Sequence, residues 1–241
     1  MKKIAFLFLL CLLSLMVVAC NGESTPTPTP KADVGPIREY ACKLVNRINE
    51  FDSLVDRFEA TESRADAASI CRDMELCYCR LKAEDHPLEL KSAREHVLSK
   101  MDNYLNGAWD WAAIEGKNEK FKKGLKKDIK GDVKEIREGA KKLVNFIDKL
   151  YGFVRNFEAN PQKDALCEEE SSYHELRAIA FPSQLKEAQG YVVERIHAYL
   201  DKAWYYIAVG EAKDEVRVQY KKDVFEWDEV PSPECVITTT P

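Results

Sequence analysis

Histidine is scarce in this chain, four residues in 241, and glycine and proline number only ten each. No glycine-rich loop ending in Gly-Lys-Ser or Gly-Lys-Thr occurs, which removes the common phosphate cradle. Neither a His-Glu-x-x-His pair of a metalloprotease nor a Cys-x-x-Cys-His haem attachment is present. Alternation of apolar and polar residues never persists for more than a few positions, so a sheet protein is excluded. A basic surplus is also missing: 36 Lys plus Arg stand against 41 Asp plus Glu, a formal net charge of −5. That balance disfavours nucleic acid as a partner.

What is there begins at the N-terminus. Lys2 and Lys3 precede an apolar run from Ile4 to Val18, then Ala19 and Cys20, the layout of a secretory signal peptide. Fifteen helical residues rise only about 22 Å, short of the roughly 30 Å of a bilayer core. Val17, Val18, Ala19 and Cys20 resemble the lipobox of bacterial lipoproteins. The resemblance implies that Cys20 receives a diacylglyceryl group, that residues 1–19 are removed, and that Cys20 becomes the new N-terminus. It places the mature chain at the cell envelope, anchored to the extracytoplasmic face of a membrane, with inner and outer membrane both open. Residues 20–35 then read as a linker. Thr25-Pro26-Thr27-Pro28-Thr29-Pro30 forbids a helix, and an extended chain from Asn21 to Gly35 reaches up to roughly 45 Å.

Beyond Cys11 and Cys20, six cysteines remain: Cys42, Cys71, Cys77, Cys79, Cys167 and Cys235. In an exported chain an even number reads first as disulfides. If a helix holding Cys42 turns back at residues 61–65, its mirror position falls near residue 84, and Cys79 is the nearest cysteine. The expected bridge is therefore Cys42 with Cys79. A zinc cluster of Cys71, Cys77, Cys79 and His86 is the competing reading, in a spacing that resembles no common zinc motif.

Self-similarity is the strongest internal signal. Ala41 to Asn46 returns as Ala140 to Asn145, and Phe58-Glu59-Ala60 returns as Phe157-Glu158-Ala159, both 99 positions on. Further along, Pro87, Leu90, Val97, Tyr104, Leu105 and Trp109 recur 95 positions on as Pro182, Leu185, Val192, Tyr199, Leu200 and Trp204. Loss of four residues between the blocks removes about one helical turn, so the apolar faces stay in phase. Leu44, Ile48, Phe51, Val55 and Phe58 step by three or four, as do Leu90, Ala93, Val97, Met101, Leu105, Ala108 and Ala112; these are helical stripes that must be buried.

The expected fold is all-α, two tandem copies of a three-helix unit in an elongated bundle. Helices are predicted over 36–60, 66–83 and from 87 to 116 or beyond, then over 132–158, 164–179 and 183–226. Asp85 and Pro87 read as the cap and first turn of the third helix. The copies divide as 36–131 and 132–230, with Gly116, Gly124 and Gly131 marking a bend between them and residues 231–241 an irregular tail.

Three leads bear on function. In the shared Tyr-Leu-x-x-Ala-Trp segments, Tyr104, Trp109, Tyr199 and Trp204 either fill the core or line a groove between the copies. Glu194 and His197 match one Glu-x-x-His pair of a di-iron bundle, but the equivalent positions in the first copy are Ser99 and Asp102. From Lys117 to Lys142 there are eleven basic and five acidic residues, read as a solvated face or a contact with anionic head groups or an acidic polymer. No catalytic residue, metal or cofactor is expected. The leading expectation is a non-enzymatic, membrane-anchored lipoprotein with a duplicated helical binding or structural module, partnered by an envelope protein, the cell wall or a small molecule. The alternative is a ligand-binding or sensory module with a pocket between the copies.

Overall fold

A computed structural model describes residues 34–113, 119–210 and 237. Cys20, the leader and the Thr/Pro linker lie outside the described residues, as does most of 211–241. Six α-helices are present among the described residues, with no strand: α1 Gly35–Ala60, α2 Arg64–Ala83, α3 Lys91–Ala113, α4 Glu119–Ala159, α5 Lys163–Ala178 and α6 Lys186–Gly210. Short 3-10 turns at Leu88–Leu90 and Ser183–Leu185 lead into α3 and α6. The chain is thus an all-helical bundle. No helix among the described residues is long and apolar enough to cross a membrane.

The helical stripes read from the sequence are the core. Leu44, Ile48, Phe51, Val55 and Phe58 are all buried on α1, and Leu90, Ala93, Val97, Met101, Leu105 and Ala108 are buried on the 3-10 turn and α3. The central contact is antiparallel, α1 along α4, and each of the two also packs against its own following helices. Two Arg pairs flank this contact. Arg38 grips the Asp148 carboxylate, and Arg137 donates to Asp52 at 2.5 Å and to Asn49 Oδ1 at 3.5 Å. Arg38 and Arg137 are 99 positions apart, as are Asn49 and Asp148.

Helix ends are finished by side chains, because the last turn of a helix leaves carbonyls without intrahelical donors. Ser63 Oγ accepts from the Asp66 N–H to start α2. Arg94 donates to the carbonyls of Leu81 and Lys82 at the end of α2. Ninety-five positions on, Gln189 donates to the carbonyls of Leu176 and Ile179 at the end of α5, at 2.8 and 3.1 Å. The cap expected at Asp85 is not the one used. Pro87 and Pro182 instead open the two 3-10 turns, without a side-chain cap. α2 has 20 residues and α5 has 16, so the four-residue difference falls inside these helices.

Two expectations are corrected here. Helix α4 runs unbroken from Glu119 to Ala159, longer than the expected 132–158, so Gly124 and Gly131 do not interrupt it. Each glycine costs about 1 kcal/mol, but burial of Ile129, Val133 and Ile136 contributes roughly 1.5–3 kcal/mol per side chain and carries the helix through. The Cys42–Cys79 bridge is not made, since Cys79 is a free, exposed thiol. Glu50 pairs with Arg80 and Arg57 with Asp73, a register that sets Cys42 opposite Leu88. That is beyond the end of α2 and roughly 13 Å of helix rise from Cys79.

The glycines of α4 offer a contrast that tests this packing. A Cβ on Gly139 would lie 2.6 Å from Leu185 Cδ1 and 3.2 Å from Pro182 Cδ, whereas one on Gly131 would meet nothing within 4 Å. Gly139→Ala is expected to destabilise by about 1–2 kcal/mol through overpacking, and Gly131→Ala to stabilise by up to about 1 kcal/mol. Urea melts of the two variants check both signs.

Candidate functional site

Tyr104 and Tyr199 occupy one kind of place and the two tryptophans another. Tyr104, 2 % exposed, meets Phe51 and Phe58 edge-on, with centroids at 6.0 and 6.1 Å. Tyr199, 1 % exposed, meets Phe153 at 6.0 Å. Such T-shaped contacts set the positive ring edge on a negative face. Burial raises the Tyr104 hydroxyl far above its ordinary value, reinforced by the Glu59 and Asp56 carboxylates, so it stays protonated.

Trp109 and Trp204 are only half-buried. Trp109 Nε1 donates to Glu75 Oε1 at 2.8 Å, and Trp204 Nε1 donates to Glu170 Oε1 at 3.0 Å. The first bond ties α3 to α2 and the second ties α6 to α5. The core tryptophan is Trp111, 4 % exposed, because 101, 104, 108 and 111 continue the buried row by threes and fours while 109 falls at its edge.

The remaining sequence leads do not assemble. Among the described residues no group of three or more His, Cys, Asp or Glu is placed to hold a metal ion. Burial pushes the Cys71 and Cys77 thiols up to about 12, which leaves them protonated near neutral pH. Cys79 faces outward, and His86 stacks on Tyr40 at 5.8 Å. His197 Nδ1 lies 3.2 Å from Asp201 on the exposed face of α6.

Comparison with protein-family models, with curated proteins and with solved structures finds no match.

Two buried charged residues escape a reading that looks for exposed chemistry. Lys122, 1 % exposed, sits with its ammonium 4.4 Å from the Trp111 ring centroid and 5.2 Å from that of Phe58. It donates at 2.5 Å to the carbonyl of Thr61, the C-cap of α1. Arg64 lies over the same indole, 4.9 Å from its centroid, and donates to the Trp111 carbonyl. Two aromatic faces and the negative end of a helix together replace the water the ammonium gives up. The signal was legible: 122, 125, 129, 133 and 136 form one helical row, and Lys122 is its charged member.

Glu169 is the second. It is 6 % exposed on α5, within the row of Leu166, Tyr173 and Leu176, and Met74 stands 95 positions before it. Burial raises its carboxyl from 4.5 to about 7, against the opposing pull of Lys149. A folded-state value above the unfolded one means that the fold favours the neutral acid. Its stabilising effect is complete below about pH 4.5 and is lost as the pH rises through about 7. Glu169→Met is expected to raise Tm by about 3–6 °C at pH 8 and by less than half of that at pH 5. Thermal melts across this range test the sign.

Proposed function

We propose that this protein is an exported lipoprotein of a bacterial envelope. In this reading Cys20 carries the lipid and the helical domain is a non-catalytic binding or structural module held on the extracytoplasmic face. The anchor rests on one observation. An apolar run too short to span stops at Val17-Val18-Ala19-Cys20 and is followed within a few residues by alternating threonine and proline. The run supplies the export signal, the cysteine the acceptor sulfur, and the prolines a chain that stays extended away from the bilayer.

The module reads as two tandem copies of one three-helix unit, and its support is the pairing of contacts. Trp109 with Glu75 and Trp204 with Glu170 make the same bond 95 positions apart. Arg94 and Gln189, again 95 apart, serve the same helix ends. At the α1–α4 contact, Arg38 meets Asp148 while Arg137 meets Asn49, each residue being the 99-position counterpart of the other pair's member. Reciprocal contacts of this kind are what two like units produce when they join face to face. A pocket between the copies has less support, because Tyr104 and Tyr199 each pack on rings of their own half.

Expression with the native leader in a bacterial host, followed by fractionation and mass spectrometry of the N-terminal peptide, tests the anchor. The expected peptide begins at Cys20 with an added diacylglyceryl mass, and Cys20→Ser moves the protein out of the membrane fraction. An unmodified Cys20 on the wild-type chain overturns the reading, and reproducible turnover of a substrate overturns its non-catalytic half.

A further inference from the structure

The first half of α4 is the one strongly basic stretch of an acidic chain: eleven basic and five acidic residues between Lys117 and Lys142, in a protein of net charge −5. Because α4 is a continuous helix here, the position of each residue around its axis follows from the backbone. Lys122, Ile129, Val133, Ile136 and Ala140 form the buried row. Positions 120, 123, 127, 130 and 134 step by three, four, three and four, a second row centred about 130° from the first. All five are lysines. Lys134, at its end, is exposed.

Between Lys120 and Lys134 the acids lie off this row: Asp128, Asp132 and Glu135 follow one another on a separate line, while Glu119 precedes the row and Glu138 takes the step after Lys134. Arg137 is already spent on Asp52. No apolar residue stands within the lysine row, which runs about 21 Å along the axis. Lysine is depleted, and apolar or aromatic residues enriched, at the centres of protein interfaces, so a charge-only row fits a protein partner poorly. It fits a planar array of negative head groups, where each lysine near the surface strengthens attachment about fivefold.

We propose that the lysine row of α4 is a docking surface for an anionic lipid bilayer, a second attachment that supplements the lipid on Cys20. The proposal rests on the reading of the chain as membrane-anchored, since a single acyl chain holds only marginally and a basic surface strengthens it.

The test uses the chain from Asn21 onward, which contains the whole described hydrophobic core and no acceptor cysteine at position 20. Its binding is measured by co-sedimentation with vesicles of phosphatidylcholine alone and with 30 % phosphatidylglycerol. The expected result is binding only to the anionic vesicles, weakened at least tenfold between about 50 and 500 mM salt. Lys120→Gln, Lys123→Gln, Lys127→Gln and Lys130→Gln combined should lower it at least tenfold. An equal change of charge at exposed lysines elsewhere, Lys43, Lys91, Lys163 and Lys186, should lower it less than threefold.

Equal losses in the two sets overturn the proposal, as does failure of the wild-type chain to bind anionic vesicles. Binding to soluble dextran sulfate without binding to vesicles also overturns it, and points to an acidic polymer instead. Circular dichroism checks the fold of the combined variant. Should it not fold, Lys123→Gln and Lys130→Gln singly must each still lose severalfold. Cys20 is absent from the tested chain, so this outcome is independent of lipidation, and an unmodified Cys20 in cells refutes the anchor without touching the vesicle result.

Discussion

The rest of the structure depends on the antiparallel burial of α1 against α4. These are the two longest helices among those described, 26 and 41 residues, and neither hides its apolar side with its following helices alone. Ile37, Leu44 and Ile48 on one helix and Leu143, Ile147 and Leu150 on the other are almost free of solvent. At roughly 25 cal/mol per Å² of apolar surface, such a contact outweighs the local preferences of the chain. It holds Gly124 and Gly131 in helical form within α4 and leaves the arginines to decide alignment. Arg38 is nearly buried while Asp148 remains half-exposed. The pair therefore contributes more to register than to stability, because desolvating an arginine offsets much of what the ion pair returns.

A consequence follows for where polar chemistry is found. The interior is closed by aromatic edges and faces, with Phe58 shared between Tyr104 and Trp111, and the charges admitted to it are each matched to a local cause. Lys122 is held by π faces and a helix end; Glu169 is held as a neutral acid. Both sit at positions that helical periodicity assigns to the core. Their burial is thus a product of the pattern around them, with the charge accommodated afterwards.

The stripes of α1 and α3 were legible because their spacing has a period of 3.6 and their members are large, as with Leu44, Ile48, Phe51, Val55 and Phe58. The presence of six helices was legible for the same reason. Less readable were features decided by competition between local and tertiary terms. Gly124 and Gly131 carry a local penalty of about 1 kcal/mol each, and whether the row of 122, 125, 129, 133 and 136 overrides it depends on what that row packs against, which spacing alone does not state. The Cys42–Cys79 pairing failed on register: a mirror drawn about residues 61–65 is off by about four residues, one full helical turn, which places Cys79 farther along the axis from Cys42, and Cys79 in any case lies on the exposed side of α2. Trp109 and Trp111 illustrate the same sensitivity, where two positions separate an edge residue from a core one. Of the aromatic residues singled out by their repetition, Tyr104 and Tyr199 serve the core and Trp109 and Trp204 serve the seams between adjacent helices.

On the outer surface, what a partner can sense is the distribution of charge. Most of that surface mixes charges of both signs within a helical turn, as with Lys43 and Glu39 or Arg47 and Glu50, and such mixed faces present little net field to a partner. Segregation is what makes a face readable at a distance, since oppositely charged neighbours cancel within a Debye length of about 8–10 Å. The amino-terminal half of α4 is where lysines and acids lie on separate lines. Its buried row is spoken for by α1 and α3, its acids by a different line, and its lysines by nothing that periodicity requires. A row that packing does not demand and that concentrates one sign of charge is the feature on which the proposed attachment to an anionic bilayer rests.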